Sequence, residues 1–340
     1  MRLMDSSEAI TIKDVRSARR RLEGSARVTP LLEDPHLNAI AGRRVLVKAE
    51  CLQRTGAFKF RGAWSALTAL GEGARERGVI TYSSGNHAQG IAHAAEELGI
   101  PATIVMPDDA PALKLANTRG YGAEVVLYDR AGGQSREEIG NRLAEARGLT
   151  PVLPYDEPLV IAGQGTAGLE IAGQARAMGV TKAEVLVCCG GGGLSAGMAV
   201  ALAAEAPGLR VRTVEPAGFD DTARSLAAGE RLGNEPGASS ICDAILTPMP
   251  GELTFPILSR LAGPGLAVTD DEVLRTMGLA FQRLKLVTEP GGAVALAAAL
   301  FHGAELADGP VVALISGGNV DTAMFRRALD MLDAAEPGAA

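Results

Sequence analysis

The sequence predicts an α/β fold built from two parallel, helix-covered sheets, and three observations carry the prediction. Short apolar runs alternate with amphipathic helical stretches, which is the order a parallel sheet requires. Aromatic residues are only 4% of the chain, so alanine, valine, leucine and 42 glycines must carry the packing, as where helices cover both faces of a sheet. Glycine-rich or small polar loops follow several predicted strands, at the carboxyl ends where such sheets bind ligands.

The elements follow in order along the chain. A strand over 44–48 precedes a helix near 62–70, and a second strand over 79–82 precedes a helix over 87–98. Strands over 102–106 and 124–127 flank a helix over 112–119, and a further helix spans 137–146. The proline-rich stretch 151–158 then breaks the alternation and reads as a crossing between domains. Strands over 184–189, 210–215 and 311–315 resume it, each followed by a loop and a helical pattern. The expected organisation is a large domain of residues 1–77 with 156–330, a small domain of 78–155, and a flexible tail of 331–340.

Composition narrows the function. A chain of 340 residues, 47% hydrophobic, buries a large core, and a net charge of −7 gives no electrostatic attraction to nucleic acid or an anionic membrane. No window reaches the roughly 18 uncharged apolar residues of a membrane span, and Met1–Asp5 opens no export signal. Cys51, Cys188, Cys189 and Cys242 lack zinc-finger spacing and disulfide density, so they read as reduced core residues. His36, His87, His93 and His302 lack the spacing of helical metal ligands, and Arg16, Arg19, Arg20 and Arg21 read as a solvated helix face. A cytoplasmic enzyme acting on a small molecule is expected.

Three strand-end loops and one lysine carry the chemistry. Gly190, Gly191, Gly192 and Gly193 follow an apolar strand and lead into a helix, so their amides can converge on a phosphate. The same segment fits a relaxed dinucleotide fingerprint with Glu215 as its ribose acid, which leaves a nicotinamide dehydrogenase open. The loop Ser83-Ser84-Gly85-Asn86-His87 can hold a carboxylate at a helix N-terminus or simply cap that helix, and Ser316-Gly317-Gly318-Asn319 reads alone as a turn. Lys59, between Phe58 and Phe60, is either a core-edge lysine with its ammonium in water or a desolvated amine able to condense with an aldehyde.

Taken together, these motifs resemble the fold-type II pyridoxal-phosphate family of threonine/serine dehydratases and serine racemases. The resemblance runs from Val28-Thr29-Pro30-Leu31 to Ser316-Gly317-Gly318-Asn319. It includes Thr55-Gly56-Ala57-Phe58-Lys59-Phe60-Arg61-Gly62-Ala63, Ala162-Gly163-Gln164-Gly165-Thr166 and Glu289-Pro290. It implies a tryptophan-synthase-β-like architecture with pyridoxal 5′-phosphate between two domains. By that resemblance Lys59 binds the cofactor aldehyde, Phe58 packs on the ring, Asn86 bonds the ring hydroxyl, and Glu289 lies beside the cofactor. Gly190, Gly191, Gly192, Gly193 and Leu194 hold the phosphate, and Ser316 faces the ring nitrogen.

The implied reaction is dehydration and deamination of a β-hydroxy-α-amino acid, with L-threonine or L-serine as substrate. Lys59 is the base at Cα, and Ser83 to His87 receive the substrate carboxylate. Ser84 is either a donor to that carboxylate or the second acid/base of a racemase. Arg136 could pair with a distal carboxylate, as in a 3-hydroxyaspartate dehydratase, or lie on the surface. Tyr155 falls where substrate-side residues vary in such enzymes, as does the loop 239–245. Glu215, Phe219 and Asp221 resemble a divalent-cation site suited to Mg²⁺ or Ca²⁺, against the reading of a solvated acidic turn. The resemblance also implies a homodimer. A non-catalytic amino-acid-binding protein on the same fold is the remaining alternative.

Overall fold

The computed structural model describes residues 9–83, 85–110, 112–130 and 132–335. Ser84 and the last five residues of the expected tail lie outside the described residues.

Among the described residues, ten strands form two sheets. The first contains β1 (Leu31–Glu33), β2 (Val45–Ala49), β7 (Ala183–Cys188), β8 (Leu209–Pro216), β9 (Leu266–Val268) and β10 (Val311–Ile315), in the order β1-β2-β10-β7-β8-β9. Only β1 runs antiparallel to its neighbour. The second contains β3 (Val79–Tyr82), β4 (Ala102–Pro107), β5 (Glu124–Tyr128) and β6 (Thr150–Pro151), all parallel, in the order β5-β4-β3-β6. Every residue of β2 and β10 is buried, as a strand covered on both faces must be.

Because β10 lies between β2 and β7, the end of the chain completes a sheet begun near its start. That pairing brings the lysine loop to the serine loop. Ala57 bridges Gly317, and the Phe58 N–H donates to the Ser316 carbonyl at 3.0 Å.

The helix carrying the lysine is Lys59–Thr68, three residues earlier than its pattern predicts, so Lys59 is its first residue. Gly163 lies in the helix Pro158–Ala177, and a Cβ there would come 2.6 Å from the Arg61 carbonyl. Glycine at that position therefore lets the two backbones touch.

Arg61 is 1% exposed and grips Glu50 and Glu170 with paired hydrogen bonds of 2.7–2.9 Å, while Lys48 holds Glu170 at 2.6 Å. The cluster ties the lysine helix to β2 and to the helix Pro158–Ala177. Four charges out of water persist because each has an opposite partner.

The helix Thr322–Ala335 runs through residues 331–335, where the sequence suggests a tail. Ala328 and Leu332 explain the difference, since both are buried and close against Gly278. All four cysteines are buried and unbridged. Among the described residues no helix is long and apolar enough to cross a membrane.

Candidate active site

A cavity of about 170 Å³ lies where strand ends of the two sheets meet, and Lys59 opens onto it. The Lys59 Nζ donates to the Pro154 carbonyl at 2.7 Å and sits 5.2 Å from the centre of the Phe58 ring. Burial pushes its ammonium down from the ordinary 10.5 to about 8. Its place at a helix N-terminus, the positive end, acts in the same direction.

The opposite wall is the glycine run between β7 and the helix Gly193–Glu205. The Thr254 hydroxyl donates to the Gly191 carbonyl at 2.6 Å, and the Gly251 N–H donates to the same oxygen at 3.2 Å. Tied from behind, the loop is left with its own amides and the unpaired first N–H groups of the helix as donors for an anion. Side chains do not fit here. A Cβ on Gly191 would overlap the Tyr155 ring, and Gly192 has a φ of +89°. Tyr155 is held in place through Asp156, which accepts from the Glu252 and Leu253 amides at 2.8 Å.

The third wall comes from the end of β3. Ser83, Gly85, Asn86 and His87 line the cavity, and the last two open the helix Asn86–Leu98. His87 is buried and bonds the Val152 carbonyl through Nε2 at 3.0 Å. Burial, helped by the nearby Lys59, pushes its pKa down to about 3, so the ring is neutral. Glu289 is buried, accepts a hydrogen bond from Asn86, and has its carboxyl pushed up to about 7 by burial. Ser316 is buried on the same cavity beside Cys188, whose thiol burial raises to about 11 and so keeps unreactive.

Of the predicted residues, Phe58, Lys59, Ser83, Gly85, Asn86, His87, Arg136, Tyr155, the four glycines, Leu194, Glu289 and Ser316 all reach this one cavity. Arg136 stands at its edge, 5.8 Å from the Tyr82 ring centre, with Nε bonded to Glu137 at 2.8 Å. Sequence reasoning missed Lys114 and Asp243, which also line the cavity and pair at 2.7 Å. They lie 129 residues apart, a separation that no local pattern spans. The loop 239–245 is the only signal that pointed toward Asp243.

Glu215, Phe219 and Asp221 lie outside the cavity. Glu215 is fully buried at the end of β8 and accepts from the Thr222 and Ala223 amides at 2.9 and 2.8 Å, capping the helix Asp221–Ala228. Fully buried and away from the cavity that the glycine run lines, it is no ribose acid of a dinucleotide site there. Asp221 is 1% exposed, and its Oδ2 accepts no hydrogen bond among the described residues. Burial and the Asp221 charge push Glu215 up to about 8, and burial pushes Asp221 up to about 6.

Residues 22–317 match the family model described as pyridoxal-phosphate dependent enzyme. The chain is 45% identical over 311 residues to an L-threo-3-hydroxyaspartate ammonia-lyase from Pseudomonas sp, covering 91% of this chain and 95% of that protein. It is 41% identical to a serine racemase from Schizosaccharomyces pombe, covering 92% and 94%. A solved threonine deaminase from T.th. superimposes with a TM-score of 0.85 at 46% identity, covering 92% of this chain and 99% of that one.

Proposed function

Since the chain belongs to the pyridoxal-phosphate dependent enzymes of fold type II, we propose that it eliminates the β-hydroxyl of a β-hydroxy-α-amino acid, L-threonine or L-serine first, as water, and that hydrolysis of the product then gives a 2-oxo acid and ammonia. One observation carries the reading: a weakly basic lysine at a helix N-terminus converges on one cavity with a side-chain-free anion cradle and a buried serine hydroxyl at two strand ends. These residues fit the cofactor, because the cradle closes as soon as a Cβ is added at Gly191 and the amine of Lys59 is already partly neutral. In this reading Lys59 holds the cofactor aldehyde, Gly190 to Leu194 its phosphate, and Phe58, Asn86, Glu289 and Ser316 its ring.

When bound, the cofactor supplies an electron sink for the pair left at the substrate Cα. Once the substrate amine has displaced it from the cofactor aldehyde, the freed Lys59 amine would take the Cα proton, since a base with a pKa near 8 is matched to neutral solution. Ser316 offers a neutral hydroxyl rather than a carboxylate, so it does not hold a proton on the ring nitrogen and the sink stays weak. With Ser316 in that place, early loss of the β-hydroxyl as water would be favoured over lasting charge at Cα. The Ser83 to His87 loop, at a helix N-terminus, receives the substrate carboxylate. Hydrolysis of the released enamine liberates ammonia and the oxo acid.

Arg136 supports a second substrate. Its guanidinium at the cavity edge suits the distal carboxylate of L-threo-3-hydroxyaspartate, the acid named for the Pseudomonas relative. Purified protein assayed for ammonia release should turn over at least one of these three amino acids, and Lys59→Ala should abolish it. Arg136→Leu should weaken turnover of the dicarboxylate and spare threonine if Arg136 reads that group. Absence of ammonia from all three would overturn the elimination reading. For racemisation, Ser84→Ala should remove D-isomer formation while elimination continues.

We assign the four-stranded unit as a small domain that closes over substrate, with the Lys114–Asp243 pair as a tie across the cavity mouth. Glu215, Asp221 and the Phe219 carbonyl would hold Mg²⁺ or Ca²⁺, which the unpartnered Asp221 Oδ2 supports. Val28, Leu52 and Val287 are exposed apolar residues; Arg27, next to Val28, bonds the Leu52 carbonyl, and Gly318 lies close to both Val287 and Cys51, next to Leu52. This patch supports a homodimer, to be checked by sedimentation. Unbridged buried cysteines support a reducing, cytoplasmic setting.

A further inference from the structure

Asn86 is the one side-chain amide proposed to meet the cofactor ring, and an amide can present either its N–H or its carbonyl. Which one it presents is decided some distance away. Asn319 Nδ2 lies 2.8 Å from the Thr55 backbone carbonyl, which can only accept, so the Asn319 atom there must be its nitrogen. The same nitrogen lies 2.8 Å from the Asn86 side chain, so the Asn86 atom facing it must be oxygen. The other Asn86 atom is then nitrogen, and one of its hydrogens is donated to Glu289 Oε1. Its second hydrogen has no acceptor among the described residues, and Asn86 lines the cavity.

The surroundings are shaped around this relay. Thr55, whose carbonyl begins it, has a φ of +58°, a left-handed conformation that a β-branched residue adopts only under constraint. A Cβ on Gly317 would overlap Glu289 Oε1, and one on Gly56 would lie 2.7 Å from Asn319 Oδ1. Glycine at both positions leaves room for the three polar side chains.

We propose that Asn319 is a positioning residue which, anchored on the strained Thr55 carbonyl, locks the Asn86 amide with a free N–H toward the cavity, so that the ring oxygen of the cofactor always meets a donor. Without Asn319 the Asn86 carbonyl loses its one donor among the described residues, and the Glu289 contact alone must keep the amide from turning its oxygen toward that ring oxygen, a repulsive contact. The inference rests on the cofactor reading above.

The test is binding and spectroscopy, with the full chain stripped of cofactor and titrated with pyridoxal phosphate. Asn319→Ala and Asn319→Asp should each bind it on the order of tenfold more weakly, the loss of one oriented hydrogen bond. The ratio of visible to near-ultraviolet cofactor absorption should fall, because the anionic ring oxygen is less stabilised. The melting temperature of the cofactor-free Asn319→Ala protein should stay close to that of the parent. Parental affinity and absorption ratio in Asn319→Ala would overturn the proposal. A lowered melting temperature with an unchanged ratio would overturn it too, by showing a purely structural role. Failure of the unsubstituted chain to bind pyridoxal phosphate would overturn the cofactor reading itself, and this inference with it.

Discussion

Lysine reactivity gives a quantitative test that needs no substrate. Burial holds the Lys59 ammonium at about 8 where an exposed lysine has 10.5. At pH 7.5 that leaves about a quarter of the amine neutral, against about one part in a thousand for an unperturbed lysine, a gain of roughly 240-fold in nucleophile. Rapid mixing of cofactor-free protein with pyridoxal phosphate, followed through the visible absorbance that bound cofactor acquires, should give an association rate that rises with pH and levels off above about 8.5. A rate that keeps climbing about tenfold per pH unit beyond 9 would refute the argument, because it would show an ordinary amine. Stability supplies an independent reading with a definite sign. Between pH 8 and 10.5 the unfolded chain keeps a proton that the folded chain has given up, so the cofactor-free protein should gain stability as pH rises through that window. Lys59→Met should remove that slope.

Three further outcomes follow from the same structure. Gly191→Ala drives a Cβ into the Tyr155 ring and must displace it into the cavity, so equilibrium titration should show cofactor affinity reduced by roughly tenfold or more. Arg61→Leu leaves Glu50, 0% exposed, and Glu170 without their shared cation, and urea unfolding should register a loss of about 3–5 kcal/mol. Glu215 and Asp221 have raised folded pKa values, so the stability they lend at low pH is lost as pH rises toward 8; in chelator the melting temperature should fall over that range, Mg²⁺ or Ca²⁺ should restore it, and Asp221→Asn should abolish the restoration.

The long strands and most of the residues that line the cavity were legible because their signals are local. An apolar run ending in four glycines, or a lysine set between phenylalanines, can be read without knowing what packs on it. The short strands β1, β6 and β9 have two or three residues each and no period to detect. β6 also contains Pro151, which reads as a break, yet proline is tolerated at the sheet edge where β6 lies. Lys48 flanks its strand like a solvent-facing charge but is fully buried, because Glu170 arrives from a helix 122 residues away. Asn319, Lys114 and Asp243 share that difficulty: each is ordinary in its own segment, and only the tertiary pairing gives it meaning.

The Thr55–Asn319 contact joins residues 264 positions apart, and the parallel pairing of β10 with β2 depends on the same late arrival. At a synthesis rate of roughly 5–20 residues per second, the lysine leaves the ribosome roughly 13–50 s before the loop that completes its cavity. During that interval Lys59 has no buried setting to lower its basicity, and it reacts as any exposed lysine would. Cofactor capture is therefore expected only after the chain is complete, and a C-terminally truncated chain should carry Lys59 without its lowered basicity.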